Sequence, residues 1–322
     1  MMNRLITCNL KKYTTYSGIQ YENLDTTYQV FGKKLHTAPV VVVNHALTGN
    51  SDLLSKKKGW WNEIVGKNKV INTDKYTVVA FNIHGNGYQA KSIKNYNDFT
   101  AKDIAAIFNL VLNEMGVTEL YAVIGGSLGG GIAWEMAALQ PGFIKYLIPI
   151  ASDWKSTDWI IGHNYVQDQL LKNSKNPLQD ARKMAMLFYR TPKSFTQKFN
   201  RTKTASNKQF NVESWLDHHG EKLKNRFDIN AYLMMNHLLT TVDITTEKLS
   251  FEEIVKPIKS IIVQIAVDSD LFFVKEENIK TKLLLNQLEI KNQYREIKSI
   301  HGHDAFLIEN EQLTQFLKPI FK

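Results

Sequence analysis

A serine in a glycine-rich turn constrains the fold of this chain more than any other feature of its sequence. Ser127 lies at the centre of a G-x-S-x-G pattern at residues 125–129, between a run that predicts a strand and a run that predicts a helix over residues 128–139. A sharp strand-to-helix turn strains its central residue, and glycines two positions to either side remove side chains that would collide. The turn also places the hydroxyl at a helix N-terminus, where developing negative charge is favoured. The pattern therefore predicts a nucleophilic serine at the end of a sheet strand.

Short apolar runs rich in β-branched residues predict a buried parallel sheet. The predicted strands lie at residues 40–44, 77–82, 120–125, 146–151, 260–266 and, with more alternation, 294–299. Helical patterns separate them, and over residues 100–115 apolar side chains recur at intervals of three or four. This alternation of strands and helices indicates an α/β protein whose mostly parallel central sheet is flanked by helices.

The alternation of strands and helices stops near residue 152 and resumes near residue 260. The stretch between them has helical patterns at residues 181–189, 192–199, 212–225 and 229–241, without a convincing strand. We therefore predict an α/β core formed by residues 1–151 and 256–322, with a helical lid inserted at residues 152–255. The alternative is a second helical layer with no role in covering a site, since layered packing alone can account for extra helices.

The 322 residues carry a formal net charge of +9, for which three interpretations compete. Nucleic-acid binding lacks the basic motif interleaved with aromatic residues that would support it, so we expect no nucleic-acid partner. Attraction of an anionic substrate such as a CoA thioester is the second interpretation. The simplest is a lysine-rich solvated surface, to which the loop lysines Lys56, Lys57 and Lys58 contribute.

Apolar runs and cysteine content indicate a cytoplasmic protein. No apolar run reaches the length of about 18 residues that spans a membrane, and the N-terminal apolar stretch is too short and too interrupted for a signal peptide. Cys8 is the single cysteine, which excludes an internal disulfide and a multi-cysteine zinc site. We therefore expect no membrane contact and no metal site.

A serine nucleophile needs a histidine base, and the base needs a carboxylate that orients it. In folds with this turn, the acid and then the histidine follow the serine at the ends of late strands. Asp268 and Asp270 follow the predicted strand at residues 260–266, and His301 and His303 follow the last predicted strand. The spacing alone does not choose between the two aspartates or between the two histidines.

Stabilisation of an oxyanion requires two backbone N–H groups. Leu128, directly after the serine, is expected to supply one of them. The loop at residues 44–49 follows an early predicted strand and contains the conformationally free Gly49, and Leu47 in this loop is our predicted second donor. His45 is more simply a packing residue of the loop than a proton-transfer group, since better-placed bases lie late in the chain.

With these residues in place, the chain resembles the homoserine O-acetyltransferase family, the acyl-CoA-dependent branch of the α/β hydrolases. The similar segments run through most of the chain, at residues 45–49, 59–61, 71–76, 125–130, 181–182, 189–190, 199–201, 212–216, 226–228, 232–233, 269–270 and 302–307. The last two resemble the acid and histidine motifs of the family. The resemblance thus implies an α/β-hydrolase fold in which Asp270 and His303 complete a catalytic triad with Ser127.

The resemblance also implies a reaction. Ser127 would accept the acetyl group of acetyl-CoA, which is a substrate, and L-homoserine would then take it on its hydroxyl, a step of methionine biosynthesis that needs no cofactor. Asp304 matches the family residue that receives the amino group of the acceptor, and a carboxylate beside the base can anchor an ammonium group. The lids of the family further imply a homodimer formed through the lid.

Three features depart from the family pattern. Leu128 replaces the usual Met after the serine, the loop at residues 82–88 lacks the usual Thr-Gly-Pro, and Asp168 stands where the family typically has an Arg that helps to bind the acceptor carboxylate. An acid there would repel a carboxylate unless a cation such as Lys155 or Arg182 offsets it. Two alternatives therefore stay open: transfer to a related hydroxy amino acid such as serine, and hydrolysis by a serine esterase.

Overall fold

The computed structural model describes residues 4–55, 59–88, 93 and 95–322, so the lysine cluster at residues 56–58 lies outside the described residues. The strands are β1 (Ile6–Thr14), β2 (Gln20–Gly32), β3 (Val40–Asn44), β4 (Val65–Gly66), β5 (Ile71–Asn72), β6 (Thr77–Phe81), β7 (Leu120–Gly126), β8 (Ile144–Ile150), β9 (Ile261–Val267) and β10 (Asn292–Ile297). The helices are α1 (Ala101–Glu114), α2 (Leu128–Leu139), α3 (Asp158–Asn173), α4 (Pro177–Tyr189), α5 (Pro192–Phe199), α6 (Asn211–Lys224), α7 (Ile229–Thr240), α8 (Phe251–Val255), α9 (Lys275–Gln287), α10 (Ala305–Ile308) and α11 (Asn310–Leu317).

The central sheet is mostly parallel, as the sequence predicts. In the described residues its strands follow the order β1-β2-β6-β3-β7-β8-β9-β10. From β6 to β10 every neighbouring pair is parallel. Every residue of β3 and β6 is buried, because helices and loops cover both faces of these strands. The predicted α/β fold is thereby confirmed.

The hairpin of β1 and β2 is the part of the sheet that the sequence does not predict. These strands pair antiparallel with each other, and β2 pairs antiparallel with β6. Most positions of β1 are exposed or half-buried, because it lies at the edge of the sheet. Without a burial requirement, β1 has no continuous apolar run of the kind that marks the parallel strands.

Consecutive residues of each parallel strand pack on opposite faces of the sheet. Val42 of β3 belongs to the core cluster that contains Phe108 of α1, whereas its neighbour Val41 belongs to the cluster that contains Leu313 of α11. The capping box between Thr100 and Asp103 fixes the start of α1 on the first face. Two apolar layers therefore hold the sheet between helices, and the loops at the carboxyl ends of its strands carry the candidate site.

The segment between β8 and β9 is helical. Residues 152–260 are all described, and they contain the helices α3 to α8 and no strand of the central sheet. The predicted helices correspond to α4, α5, α6 and α7, whereas α3 and α8 are additional. β8 ends at Ile150 and α8 ends at Val255, so the inserted helices lie within the segment that we predict as the lid.

Candidate active site

Ser127 has the strained backbone that the turn requires, with φ of 54° and ψ of −125°. A Cβ on Gly125 would lie 2.4 Å from the backbone of Gly129, and a Cβ on Gly129 would lie 2.5 Å from the carbonyl oxygen of Asn44. Both positions therefore need glycine. The N–H of Ser127 donates to the carbonyl of Ile150 at 2.9 Å, which ties the turn to the end of β8.

His303 and Asp270 form a buried pair, with Nδ1 of the imidazole 2.7 Å from Oδ2 of the carboxylate. The other oxygen of Asp270 accepts the backbone N–H groups of Phe272 and Phe273 at 2.7 and 2.9 Å, so the carboxylate is fixed in orientation. A carboxylate only accepts hydrogen bonds, so His303 donates through Nδ1 and keeps Nε2 as an acceptor. This is the tautomer that a general base for a serine hydroxyl needs.

The other late aspartate and histidine have different partners. Oδ1 of Asp268 accepts the N–H of Ser299 at 2.9 Å, a contact within the loops that follow β9 and β10. Nδ1 of His301 lies 3.1 Å from Nη1 of Arg190, which follows α4. The structure thus joins the aspartate and histidine that the resemblance implies and places the other two in structural contacts.

Aromatic rings enclose the imidazole of His303. The ring centroids of Phe272, Tyr189, Phe273 and Phe306 lie 5.2, 5.4, 5.7 and 5.7 Å from it. Phe306 also packs on the serine turn, since a Cβ on Gly126 would lie 2.4 Å from its ring. No hydrogen bond joins the Ser127 hydroxyl to His303 within the described part of the chain, and such bonds often tighten only around a substrate. The serine–histidine bond therefore stays a prediction.

The predicted oxyanion donors are available for a ligand. The N–H groups of Leu47 and Leu128 donate to no other group among the described residues. Leu128 is the first residue of α2, and the first N–H groups of a helix have no partner within it. Leu47 lies in the loop after β3, which turns tightly because the N–H of Gly49 donates to the carbonyl of Ala46 at 2.8 Å.

His45 supports this loop and has no nitrogen left for proton transfer. Its Nε2 accepts the N–H of Ile83 at 3.0 Å, so the ring proton lies on Nδ1, which donates to the carbonyl of Ala46 at 2.8 Å. Burial lowers the pKa of His45 to about 4, and the ring is therefore neutral near pH 7. The structure agrees with the packing role that the sequence favours.

Asp304, next to His303, lies among positive charges. Its Oδ2 is 3.2 Å from Nε of Arg190. Burial raises the pKa of the Asp304 carboxyl, and the charges of Arg182 and Arg190 oppose that shift. The guanidinium of Arg182 lies over the ring of Tyr189 at 5.7 Å and has no ion pair or hydrogen bond among the described residues. A carboxylate and an unpaired guanidinium therefore lie near the base.

Asp168 of α3 is bound within the inserted helical segment. Its Oδ2 lies 3.4 Å from Nζ of Lys172, one turn further along α3, and its Oδ1 accepts a hydrogen bond from the Asn236 amide of α7 at 2.8 Å. These contacts offset the negative charge that we expected to repel an acceptor carboxylate. Two cations were candidates to offset this charge. Nζ of Lys155 lies over the ring of Trp154, 4.7 Å from its centroid. Arg182 instead lies near Asp304, where its positive charge acts on the carboxyl.

The sequence alone does not predict the ion pair between Arg190 and Asp304 or the aromatic enclosure of His303. The one local sequence feature of this enclosure is the pair Phe272 and Phe273, which follows Asp270 closely in the chain. The backbone N–H groups of both residues donate to the Asp270 carboxylate. Across the described ranges, no three or more His, Cys, Asp or Glu side chains are grouped to hold a metal ion. In the same ranges no helix has the length and apolar character to cross a membrane.

Comparisons with known proteins identify the fold and the family of the chain. A family model described as alpha/beta hydrolase fold matches residues 39–304. A homoserine O-acetyltransferase of Cyclobacterium marinum is 33% identical over 306 residues, which cover 88% of this chain and 84% of the relative. The crystal structure of homoserine O-acetyltransferase from Staphylococcus aureus superposes with a TM-score of 0.84 at 25% identity, covering 98% of this chain and 94% of that one. The crystal structure of esterase E22 has a TM-score of 0.88 at 18% identity, with both chains covered completely, and shows the fold alone.

Proposed function

The chain belongs to the homoserine O-acetyltransferase family of the α/β hydrolases, and from this membership we propose that it moves an acetyl group from acetyl-CoA to the hydroxyl of L-homoserine. The observation that carries the proposal is the arrangement of charges around the base. Asp304 and Arg182 provide a carboxylate and a guanidinium near His303. These charges match the ammonium and carboxylate groups of an amino acid, whereas water as acceptor needs neither.

In the first half-reaction, Oγ of Ser127 attacks the thioester carbonyl of acetyl-CoA while Nε2 of His303 takes the hydroxyl proton. Asp270 stabilises the imidazolium that forms, and the N–H groups of Leu47 and Leu128 stabilise the tetrahedral oxyanion. When the intermediate collapses, its C–S bond breaks and the imidazolium gives the proton to the departing thiolate. The products are free CoA and an acetyl ester on the serine.

In the second half-reaction, L-homoserine binds with its ammonium group at Asp304 and its carboxylate at Arg182. His303 takes the proton of the homoserine hydroxyl, and the oxygen attacks the acetyl carbonyl. Collapse of this intermediate breaks the ester bond to Ser127, which recovers its proton from the imidazolium, and O-acetylhomoserine leaves. Two fixed charges orient the acceptor, so its hydroxyl reaches the acyl carbon more often than water does.

Ester hydrolysis is the second candidate. The fold likeness extends to an esterase, and the same serine, histidine and aspartate can activate water. The ion pair between Arg190 and Asp304 also favours it, because an acceptor ammonium must share a carboxylate that already has a cation beside it. Both candidates proceed through the same acetyl-enzyme, so only the second half-reaction separates them.

Release of CoA from acetyl-CoA tests the proposal when it is measured with L-homoserine, with L-serine and with no added acceptor. We expect homoserine to accelerate release well above the rate in water. Serine should be weaker, because its hydroxyl is one methylene closer to the two charged groups and falls short of the acyl carbon. Equal rates with and without homoserine would identify a hydrolase, and a higher rate with serine would identify serine as the acceptor.

We further propose that two copies of the chain associate through the lid. Trp159, Tyr165 and Val166 of α3 are 52, 66 and 42% exposed, and Leu187 of the adjoining α4 is 50% exposed. Large apolar side chains exposed on neighbouring helices are typical of an interface. Light scattering should give the mass of two chains, and Tyr165→Glu should give that of one. A single-chain mass for the unmodified protein would contradict this proposal.

A further inference from the structure

Arg226 reaches from the lid to the loop that carries Leu47. Its Nη1 donates to the carbonyl oxygen of Thr48 at 2.7 Å, and its Nη2 donates to the Thr48 hydroxyl at 3.2 Å. Two bonds from a planar guanidinium to one residue fix both the position and the orientation of that residue. The partners are 178 positions apart in the sequence, so the contact forms only when the lid is docked on the core.

The backbone that carries Arg226 is held between two helices. The N–H of Arg226 donates to the carbonyl of Leu223 at 2.9 Å, at the C-terminal end of α6. Asp228 caps the start of α7, and its Oδ1 accepts the N–H of Ala231 at 2.8 Å. We call residues 226–228 the lid corner. Because both of its ends are capped, the backbone of this corner is fixed, and only the rotamers of the Arg226 side chain have to be ordered when it binds Thr48.

The second support of the Leu47 loop leads to the same corner. His45 donates to the carbonyl of the peptide whose N–H belongs to Leu47, and it accepts the N–H of Ile83. Four residues after Ile83, the backbone of Gly87 passes close to the Asp228 side chain. A Cβ added to Gly87 would lie 2.8 Å from a carboxylate oxygen of Asp228. The lid corner therefore contacts both the oxyanion loop and the segment that anchors its histidine.

The charge of Arg226 has no carboxylate partner among the described residues. The residue as a whole is exposed, while its two bonds to Thr48 keep the guanidinium against the loop. Desolvation of the guanidinium, and then the charge of Arg182, lower the pKa of Arg226 to about 10, so it stays protonated at neutral pH. A cation held against the oxyanion loop favours negative charge that develops there during attack.

We propose that Arg226 is a positioning residue for the oxyanion hole, which holds the Leu47 peptide in place and makes acylation of Ser127 depend on the docked lid. The inference rests on the proposed function for the roles of Ser127 and Leu47, and it is independent of the identity of the acceptor. Arg226 acts through Thr48 and contacts no reacting atom. Its removal should therefore slow the chemical step and leave substrate binding in the ground state unchanged.

The burst of p-nitrophenol from p-nitrophenyl acetate tests this inference with an acyl donor that contains neither CoA nor an amino acid. Arg226→Gln should lower the burst rate constant about tenfold or more and keep the burst amplitude, because it removes a charge-assisted pair of bonds. Thr48→Val, which removes one of the two acceptors, should give a smaller loss. Arg201→Gln is the matched control in the lid, because Arg201 lies over the ring of Phe210 and should leave the rate unchanged.

Chemical rescue separates positioning from a general effect on folding. Guanidinium ion added to Arg226→Ala should restore part of the burst rate at an unchanged melting temperature, whereas a merely structural residue would show a lowered melting temperature and no rescue. If Arg226→Gln does not fold, Thr48→Val still gives the test. Equal burst rates for the unmodified protein and the folded variants would overturn the inference and leave the proposed function standing. Absence of an acetyl adduct on Ser127 after incubation with acetyl-CoA would overturn both.

Discussion

Arg190 and Asp304 form an ion pair beside the proposed catalytic base, with Nε of the arginine 3.2 Å from Oδ2 of the aspartate. Arg190 also lies 3.1 Å from Nδ1 of His301, so it links the carboxylate to the loop that carries the base. In the proposed function, an acceptor ammonium would therefore meet a carboxylate whose charge is partly neutralised. Arg182 has no ionic partner among the described residues, and in the proposed function it would bind the acceptor carboxylate. The two charges of the acceptor site can thus be tested separately.

Asp304→Ala should impair the acceptor half-reaction alone. A hydrogen bond between charged groups contributes about 1.5–3 kcal/mol, so kcat/KM for L-homoserine should fall about tenfold or more. Acetylation of Ser127 should be unchanged, because that step does not use the amino group of the acceptor. Steady-state kinetics with each substrate varied in turn measure both effects. Asp217→Ala removes a carboxylate of α6 that pairs with Lys183, and this variant serves as the control.

Arg182→Gln should raise KM for L-homoserine and leave the rate of acetylation unchanged. The guanidinium presents two parallel donors to a carboxylate, which the neutral amide cannot replace. Arg182→Lys keeps the charge but loses the paired geometry, so we expect an intermediate KM. The same kinetic assay with homoserine varied provides the measurement. An unchanged KM in Arg182→Gln would place the acceptor carboxylate elsewhere.

Asp270→Asn should lower kcat by about 10³- to 10⁴-fold, because an amide can hold the imidazole in the wrong tautomer. The matched variant Asp268→Asn should keep most of the activity, since Asp268 bonds a backbone N–H of the loop after β10 and not the base. Comparing kcat for the two purified variants gives the answer. A larger loss in Asp268→Asn would contradict the assignment of the acid.

Glu135 should make the free energy of unfolding depend on pH. It is buried in α2, and burial raises its pKa from 4.5 to about 8. The folded chain therefore keeps a proton that the unfolded chain loses above pH 4.5. This contribution to stability is complete below pH 4.5 and is lost as the pH rises through about 8, at up to about 1.4 kcal/mol per pH unit.

Glu135→Gln removes this titration. Urea denaturation should show the variant gaining stability relative to the unmodified protein between about pH 5 and about pH 9. A stability difference between Glu135→Gln and the unmodified protein that stays constant across this range would mean that Glu135 is ionised in the folded chain.

The parallel sheet and the serine turn could be predicted because their physical requirements act locally. Strands buried on both faces need continuous apolar runs, and the strain at Ser127 needs glycine at Gly125 and Gly129. The sequence pattern does not predict α3 (Asp158–Asn173), because the local signal of a helix is weak there. Three of its buried positions, His163, Asn164 and Gln167, are polar, so the helical spacing is present without an apolar stripe.

Contacts between side chains that are far apart in the sequence could not be predicted. The bonds from Arg226 to Thr48 join residues 178 positions apart, and no local pattern marks either partner. The pairing of Asp270 with His303 was equally undetermined from spacing, and only the resemblance to a family distinguished it from the alternatives. Tertiary packing decides such contacts, and they determine how the predicted groups are positioned for chemistry.

The fate of the acetyl group on Ser127 tests the central claim most directly. The enzyme is acetylated with acetyl-CoA and separated from it, and mass spectrometry then follows loss of the adduct with and without L-homoserine. Ser127→Ala, which should form no adduct, is the control. The proposed function predicts that homoserine accelerates loss of the adduct many-fold and that O-acetylhomoserine appears in equal amount. Loss at the same rate in its absence, with acetate as the product, would show a hydrolase and contradict the account.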